Sequence, residues 1–269
     1  MGDDIHTGLD NDNMTNNVIL FSIGHRCTSA SLVKELHLKF ESYPFDWVVS
    51  KLEVVIHCIE TDFAEYTKPE NYKEVKSETF NLCDGVKRHI CYENIVYNDF
   101  YEHYPFTSET DIDKYPNTRE NTGTYGRMLA LTHHDIRKER DRGYFQRCVD
   151  RFKRILALSQ QKFYLYSHPL LGVDDFESQS PSLLLYFIDF VETFKTKTAN
   201  AHGIFFVLVK NETRKHEVVP MFASNDLSVF VVYANNNLVD GGGVYDGDFY
   251  NEQHKILTTI ERVIASKQH

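Results

Sequence analysis

The sequence lacks the marks of several well-defined classes of protein. Its longest apolar runs, Leu183 to Ile188 and Ile204 to Val209, are far shorter than the ~20 residues of a membrane-spanning helix, so no membrane span is expected. It has no Walker loop, no Gly-x-Gly-x-x-Gly fingerprint and no Gly-x-Ser-x-Gly elbow. These motifs are the usual signs of P-loop proteins, dinucleotide-binding domains and serine hydrolases, and none of those classes is indicated.

The sequence also has fewer basic than acidic residues. Lys and Arg total 29 against 39 Asp and Glu, which gives a formal net charge of −10. A protein that binds a nucleic-acid duplex needs a basic face, so nucleic acid is not expected as a partner. The balance still leaves room for a local basic groove that binds a phosphate-bearing ligand.

The five cysteines do not indicate a disulfide framework. Their number is odd, and the first seventeen residues lack the basic and apolar segments of a secretory leader. We therefore expect free thiols in a reducing compartment, namely the cytoplasm, or the host cytoplasm if the chain is viral. Cys83, His89 and Cys91 lack the paired close spacing of a structural zinc site.

What the sequence does contain is an alternation of strand-like and helix-like segments. Apolar runs predict strands at 18–23, 162–167, 203–209 and 228–233. Helical patterns are found at 28–39, 52–66, 145–156 and 252–266, with a further helix starting at Ser180-Pro181. This order predicts an α/β fold with a Rossmann-like, mainly parallel sheet and helices on both faces.

The domain organisation is predicted to be simple. Residues 1–16 are expected to form a flexible leader, because they are too polar to fold alone. Residues 17–269 are expected to form a single α/β domain. An irregular insertion is predicted at about 67–142, with short strands near Ile90–Tyr92 and Ile95–Tyr97.

The most informative motif follows the first predicted strand. Gly24, His25, Arg26 and Cys27 join that strand to the first helix, and parallel sheets bind ligands at the carboxyl ends of their strands. Backbone N–H groups and the positive helix end attract anions there, Arg26 could clamp a phosphate, and Cys27 could act as a nucleophile. The alternative is a tight structural turn with a small buried cysteine.

Two further motifs could supply a proton acceptor. Asp46 lies in Pro44-Phe45-Asp46-Trp47, where it could act as a general base or bind a sugar hydroxyl; alternatively it caps the next helix while Trp47 fills the core. His134 and Asp135 form a His–carboxylate pair of the kind used in proton transfer. Their alternative is a polar loop or a helix start.

The remaining candidate residues are four arginines and a histidine. One helix face is predicted to hold four arginines, Arg140, Arg147, Arg151 and Arg154, which could meet a diphosphate or form a solvated face. His168 ends a predicted strand and should lie at the functional edge of the sheet. No metal ligand is assigned. A divalent cation, Mn²⁺ or Mg²⁺, is left open as a cofactor because the Asp-x-Asp words at 111–113 and 246–248 could hold one.

Together these motifs resemble a known family. The segment from Ile19 to Trp47 is similar to the opening of the DUF1796 family, labelled as papain-like cysteine peptidases, whose members have a Ser-Leu-Gly-x-x-Cys turn followed by Ser-x-Pro-Phe-Asp-Trp. His134-Asp135 matches a His-Asp word of the family, and 147–158 with 163–167 match an Arg-rich helix that leads to a strand. The resemblance extends over about 17–170. Ser167-His168 stands where the family often has an Arg.

The resemblance implies two enzyme classes. The family label implies a peptidase with Cys27 as nucleophile and His134 as base, but a papain-like fold is α+β and the pattern here is alternating. Relatives of the family also resemble glycosyltransferases found among viral and bacterial surface-glycan genes. Such an enzyme needs a sheet edge, helix starts for a diphosphate, one base, and aromatic side chains that stack on base and sugar.

The favoured expectation is a glycosyltransferase that moves a sugar from a nucleotide-sugar donor to a glycan acceptor with inversion. The donor is expected to be a UDP-sugar such as UDP-xylose, bound by Gly24, His25, Arg26, Cys27, Arg151 and His168. Asp46, His134 or Asp135 would deprotonate the acceptor hydroxyl. The alternatives are a papain-like cysteine peptidase that uses Cys27 and His134, and a carbohydrate- or partner-binding module without catalysis.

Overall fold

The structure is a computed structural model. It describes residues 18–24, 27–76, 88–92, 130–131, 134–170, 176–211, 213–214, 216–234 and 249–268. The strands in these ranges are β1 (Ile19–Ser22), β2 (Val48–Val49), β3 (Tyr72–Lys76), β4 (Arg88–Tyr92), β5 (Ala130–Leu131), β6 (Lys162–Leu170), β7 (Ala201–Lys210), β8 (Glu217–Ala223) and β9 (Leu227–Ala234). The α-helices are α1 (Cys27–Glu35), α2 (Leu52–Glu60), α3 (Glu139–Ala157), α4 (Phe176–Phe194) and α5 (Phe249–Lys267).

A five-stranded sheet in the order β1-β6-β7-β9-β8 organises the described chain. Its first four strands are parallel, and β8 pairs antiparallel with β9 at the edge. The predicted mainly parallel α/β fold is confirmed. A second, antiparallel sheet has the order β2-β5-β4-β3, and its β4 confirms the strand predicted near Ile90.

Helices cover both faces of the large sheet because side chains alternate along each strand. On β6, Phe163 and Leu165 face a core that includes side chains of α1 and α5. Tyr164 and Tyr166 face the opposite core, which α2, α3 and α4 complete. Since both faces are buried, the central strands are continuously apolar and were the easiest elements to predict.

Two helices end earlier than predicted. In both cases residues with a left-handed backbone conformation stop the helix. α1 stops at Glu35 and not at Lys39, because His37 has a φ of 56°. α2 stops at Glu60 and not at Tyr66, because Asp62 and Phe63 have φ values of 51° and 61°. That turn carries Phe63 into the core, where it is 2% exposed.

Other predicted boundaries were also wrong. α3 begins at Glu139, inside the predicted insertion, and α4 begins at Phe176, so that Pro181 lies within the helix instead of opening it. Strand β8 was not predicted from the sequence, and it contains Pro220. A proline is tolerated there because β8 is an edge strand with a register shift between Pro220 and Phe222.

None of the helices in the described ranges combines the length and apolar character that crossing a bilayer requires.

Candidate functional site

The turn after β1 is held in a conformation that only glycine permits. Gly24 has a φ of 104°, and a Cβ at this position would lie 1.7 Å from the Oγ of Ser50. The Ile23 N–H continues the sheet by donating to the Leu165 carbonyl at 3.0 Å. The Gly24 N–H donates to Ser22 Oγ at 3.2 Å. The close approach of Ser50 therefore brings the chain before α2 against the turn before α1.

Buried serines lock this contact. Ser50 Oγ donates to the Ile23 carbonyl at 3.2 Å, and Ser29 Oγ donates to the Gly24 carbonyl at 2.7 Å. Ser29 Oγ also lies 2.9 Å from Ser167 Oγ on β6. Because Cys27 and Leu52 begin their helices a few residues from this contact, the N-termini of α1 and α2 converge at the carboxyl edge of the sheet. Helix N-termini carry unpaired N–H groups and partial positive charge.

His168 lies at the same edge, near the end of β6. Its ring packs edge-on against Phe187 at 5.8 Å between centroids. Burial lowers the pKa of His168 to about 3, and the positive charge of Lys51, the N-cap residue of α2, acts in the same direction. The imidazole is therefore neutral at neutral pH. We call Gly24, Cys27, Ser50, Lys51 and His168 the edge site.

Asp46 belongs to a different network, beside α3. It is 1% exposed, forms an ion pair with Lys39, and accepts the Tyr43 N–H at 2.7 Å. Its Oδ1 has no hydrogen-bond partner in the part of the chain that the structure describes. Burial raises the pKa of Asp46, although Lys39 opposes the shift. Asp46 thus closes its own turn, and the Lys39 ammonium lies 5.9 Å from the Trp47 ring.

His134 and Asp135 are held in different ways. The His134 ring stacks on Tyr144, with centroids 5.0 Å apart and planes 8° apart. Asp135 forms a bidentate pair with Arg137, at 2.8 and 2.9 Å. The hydrogen bonds from Arg137 keep the pKa of Asp135 below its usual range. A paired, ionised carboxylate is a weak proton acceptor, so His134 suits that task better than Asp135.

Arg151, a residue of α3, lies near Asp46, and its guanidinium already has protein partners. It donates to the Ser42 carbonyl at 3.3 Å, and its Nε is 3.7 Å from Glu41 Oε1. Ser42, Cys148 and Asp46 lie close enough to the Tyr144 hydroxyl to act on its pKa, which connects the His134 stack to this region. We call Lys39, Asp46, His134, Tyr144 and Arg151 the flank cluster. The predicted residues thus fall into two groups, since Gly24, Cys27 and His168 lie in the edge site.

Some predicted features lie outside the described ranges, namely His25, Arg26, the 1–16 leader, the short strand expected near Ile95–Tyr97 and both Asp-x-Asp words. The backbone of Cys27 is described, as the first residue of α1. Across the described residues, no three His, Cys, Asp or Glu side chains are grouped as a metal would require. Sequence reasoning missed Ser29, Ser50 and Lys51, because their contacts with the turn depend on the fold and leave no pattern in the sequence.

The fold and the edge site define an α/β protein whose candidate ligand site lies at the carboxyl edge of a parallel sheet. Residues 18–171 match the family described as "Putative papain-like cysteine peptidase (DUF1796)". The match covers more than half of the chain, so the chain belongs to this family, and the resemblance read from its motifs is confirmed. No curated protein and no solved structure matches the chain.

Proposed function

We propose that this protein is a glycosyltransferase that binds the diphosphate of a nucleotide-sugar at the edge site. The observation that supports the proposal is the packing of Gly24 on Ser50, because it sets the N-termini of α1 and α2 beside each other. Two positive helix ends and the Lys51 ammonium form a local anion site on a chain whose net charge is −10. The first turn of α2 also contains an acidic residue, Glu53. Its carboxylate is engaged by α4, because it accepts a hydrogen bond from Tyr186 at 2.6 Å.

The proposed reaction is a direct displacement. The acceptor hydroxyl oxygen attacks the anomeric carbon of a UDP-sugar, such as UDP-xylose, and the nucleoside diphosphate leaves. One proton acceptor is enough for this step, which inverts the anomeric carbon. Of the three proton acceptors predicted from the sequence, Asp46 is buried against Lys39 and Asp135 is paired with Arg137. His134, whose ring stacks on Tyr144, is the remaining candidate of the three.

A melting-temperature screen tests donor binding. UDP, GDP, UDP-glucose and UDP-xylose are added with and without Mn²⁺, and uridine serves as a ligand without phosphate. A ligand at 100 times its Kd stabilises the folded state by about 2.7 kcal/mol, so we expect a rise of several degrees with a uridine diphosphate and none with uridine.

Matched lysine variants locate the ligand. Lys51→Gln should weaken the shift because it removes a charge from the edge site. Lys195→Gln should leave the shift unchanged, because Lys195 pairs with Asp226, just before the amino end of β9. If no nucleoside diphosphate or nucleotide-sugar raises the melting temperature, the proposal is wrong.

A second candidate, a cysteine peptidase with Cys27 and His134, is favoured by the family description and by the position of Cys27 at a helix N-terminus, which activates thiols. It predicts alkylation of Cys27 by iodoacetamide at neutral pH and complete loss of peptide cleavage in Cys27→Ser. Cys58 and Cys148 are internal controls, because burial raises the pKa of both thiols. The glycosyltransferase proposal instead expects Cys27→Ser to retain nucleotide binding and much of the transfer activity.

A further inference from the structure

A carboxylate lies beside the edge site, and α4 fixes its position. Glu53 follows Lys51 by two residues, in the first turn of α2, and its side chain is half-buried. Tyr186 donates to Glu53 Oε2 at 2.6 Å, a short bond of the kind that a charged acceptor forms. Tyr186 is only 5% exposed, so the hydroxyl that holds the carboxylate has a fixed place in the fold.

Two independent connections place Glu53 near the edge site. Along the chain, Glu53 is three residues from Ser50, so their Cα atoms are at most about 11 Å apart. Across the fold, the Tyr186 ring packs against the Phe187 ring with centroids 5.8 Å apart. The Phe187 ring in turn packs against His168, also at 5.8 Å. The carboxylate is therefore a neighbour of the residues to which we assign the diphosphate.

The end of β6 indicates the same location for Glu53. Tyr166 and His168 are two residues apart on this strand, so their side chains project from the same face of the sheet. Burial raises the pKa of Tyr166, and the negative charge of Glu53 acts in the same direction. The positive charge of Lys51 acts in turn on His168. Two side chains of opposite charge, Lys51 and Glu53, thus lie near the carboxyl end of β6.

The carboxylate of Glu53 keeps capacity to bind a ligand. Among the residues that the structure describes, Tyr186 is the donor that reaches Glu53, and it bonds to Oε2. The other oxygen, Oε1, has no donor in these ranges and is not a fully buried atom. An ionised carboxylate donates no hydrogen bond, and its two oxygens offer about four acceptor positions. Glu53 can therefore accept further hydrogen bonds from a ligand that supplies donors.

The chemistry of a nucleoside diphosphate decides which of its groups such a carboxylate can bind. The phosphate oxygens are negative acceptors, so Glu53 repels them. The donors are the ribose hydroxyls and the N–H groups of the base. The 2′- and 3′-hydroxyls form a pair of adjacent donors, and the ribose is joined directly to the α-phosphate through its 5′ carbon and oxygen. A diphosphate in the edge site therefore brings its ribose near Glu53, with the base farther away.

We propose that Glu53, positioned by Tyr186, binds the 2′- and 3′-hydroxyls of the donor ribose, so that the site selects ribonucleotides over deoxyribonucleotides. The inference rests on the proposed function, because it names a second part of the same nucleotide site. Lys51 and the two helix starts attract the diphosphate, whereas the charge of Glu53 weakens that attraction. Charge-assisted hydrogen bonds from the ribose offset this cost, and a ligand without those hydroxyls meets the repulsion alone.

The test compares UDP with 2′-deoxy-UDP as ligands of the full chain, by isothermal titration calorimetry. We expect the wild type to bind UDP at least about tenfold more tightly, because 2′-deoxy-UDP lacks one hydrogen bond to a charged acceptor. Glu53→Gln should weaken the binding of UDP and leave that of 2′-deoxy-UDP unchanged or tighter, since it removes a negative charge beside the diphosphate.

Two further variants complete the comparison. Tyr186→Phe keeps the ring and removes the hydroxyl that positions the carboxylate, so it should lower the preference for UDP by a smaller factor, about two- to fivefold. Glu60→Gln is the matched control, because Glu60 ends α2 and pairs with Lys197 at 3.4 Å. It should keep the full preference.

The outcomes separate this inference from the function on which it rests. If neither nucleotide binds the wild type, the proposed function is wrong and the inference fails with it. If both bind equally, the diphosphate site stands and the ribose assignment is wrong. Equal weakening of both nucleotides in Glu53→Gln would mean that the carboxylate only joins α2 to α4. Weaker binding of UDP-glucose but not of UDP in Glu53→Gln would place the hydroxyls on the transferred sugar, which also overturns the assignment.

Discussion

At the scale of single residues, Gly24 is the position on which the edge site depends most. Its φ of 104° and its contact with Ser50 are two separate requirements for glycine. The first is a backbone conformation that side chains disfavour. The second is the space that lets the residues before α2 reach the turn before α1. Any larger residue must disturb one helix start or the other.

We predict that Gly24→Ala lowers the free energy of unfolding by about 3 kcal/mol, from backbone strain and overpacking together. Gly143→Ala is the control, because a Cβ there meets nothing closer than 3.7 Å and alanine favours the interior of α3 by about 0.5–1 kcal/mol. Urea denaturation measures both values. The double variant Gly24→Ala/Ser50→Gly should regain the part due to overpacking. Equal stability of Gly24→Ala and the wild type would contradict this account.

At the scale of elements, β6 connects the edge site with both hydrophobic cores. It pairs with β1 on one side and with β7 along its whole length on the other. Alternate side chains enter opposite cores, and the strand leads to His168, whose pKa burial lowers. The strand therefore links the protonation of the His168 imidazole to the stability of the sheet.

This link predicts a pH dependence of stability. His168 stays neutral in the folded state down to about pH 3, whereas its ordinary pKa in the unfolded chain is 6.5. Between these values the unfolded state binds the extra proton, so the free energy of unfolding falls as the pH is lowered, by at most about 1.4 kcal/mol per pH unit.

Urea denaturation from pH 7 to pH 4 measures this slope. It should be smaller in His168→Gln than in the wild type and unchanged in His254→Gln. Burial also lowers the pKa of His202, but that contribution is common to all three proteins and cancels in the comparison. Parallel stability curves for the wild type and His168→Gln would show that His168 is protonated in the folded state.

The elements that could be predicted are those with a strong local pattern. The central strands β6, β7 and β9 are apolar runs because both of their faces are buried, and α5 has a clear helical period. β8 was not predicted, and its Pro220 argues against a strand unless its edge position is known. The same limit applies to the site. Gly24 was found from its motif, but its contact with Ser50 joins residues far apart in the sequence and has no local signal.

At the scale of the whole molecule, the family match and the sheet do not have the same limits. The match ends at residue 171, just after β6. In the structure β6 is an inner strand, and its partner toward the centre of the sheet, β7, comes from the chain beyond the match. The core on the α1 face likewise includes Ile256 and Ile260 of α5. The matched segment therefore contains the edge site but only part of the sheet that holds it in place.

We predict that a fragment of residues 18–171, made alone, does not fold cooperatively. Without β7 and α5, the side chains of Phe163 and Leu165 lose much of their cover, and full burial of such a side chain is worth about 1.5–3 kcal/mol. Several losses of this size exceed the margin of about 5–15 kcal/mol by which domains are stable. Circular dichroism on heating should show no sharp transition for the fragment and one for the full chain. Co-expression of residues 172–269 should restore the transition, because it returns β7, β9 and α5. A cooperative melt of the fragment alone would mean that the family segment is a domain by itself, and the single domain expected over 17–269 would then have to be divided after β6.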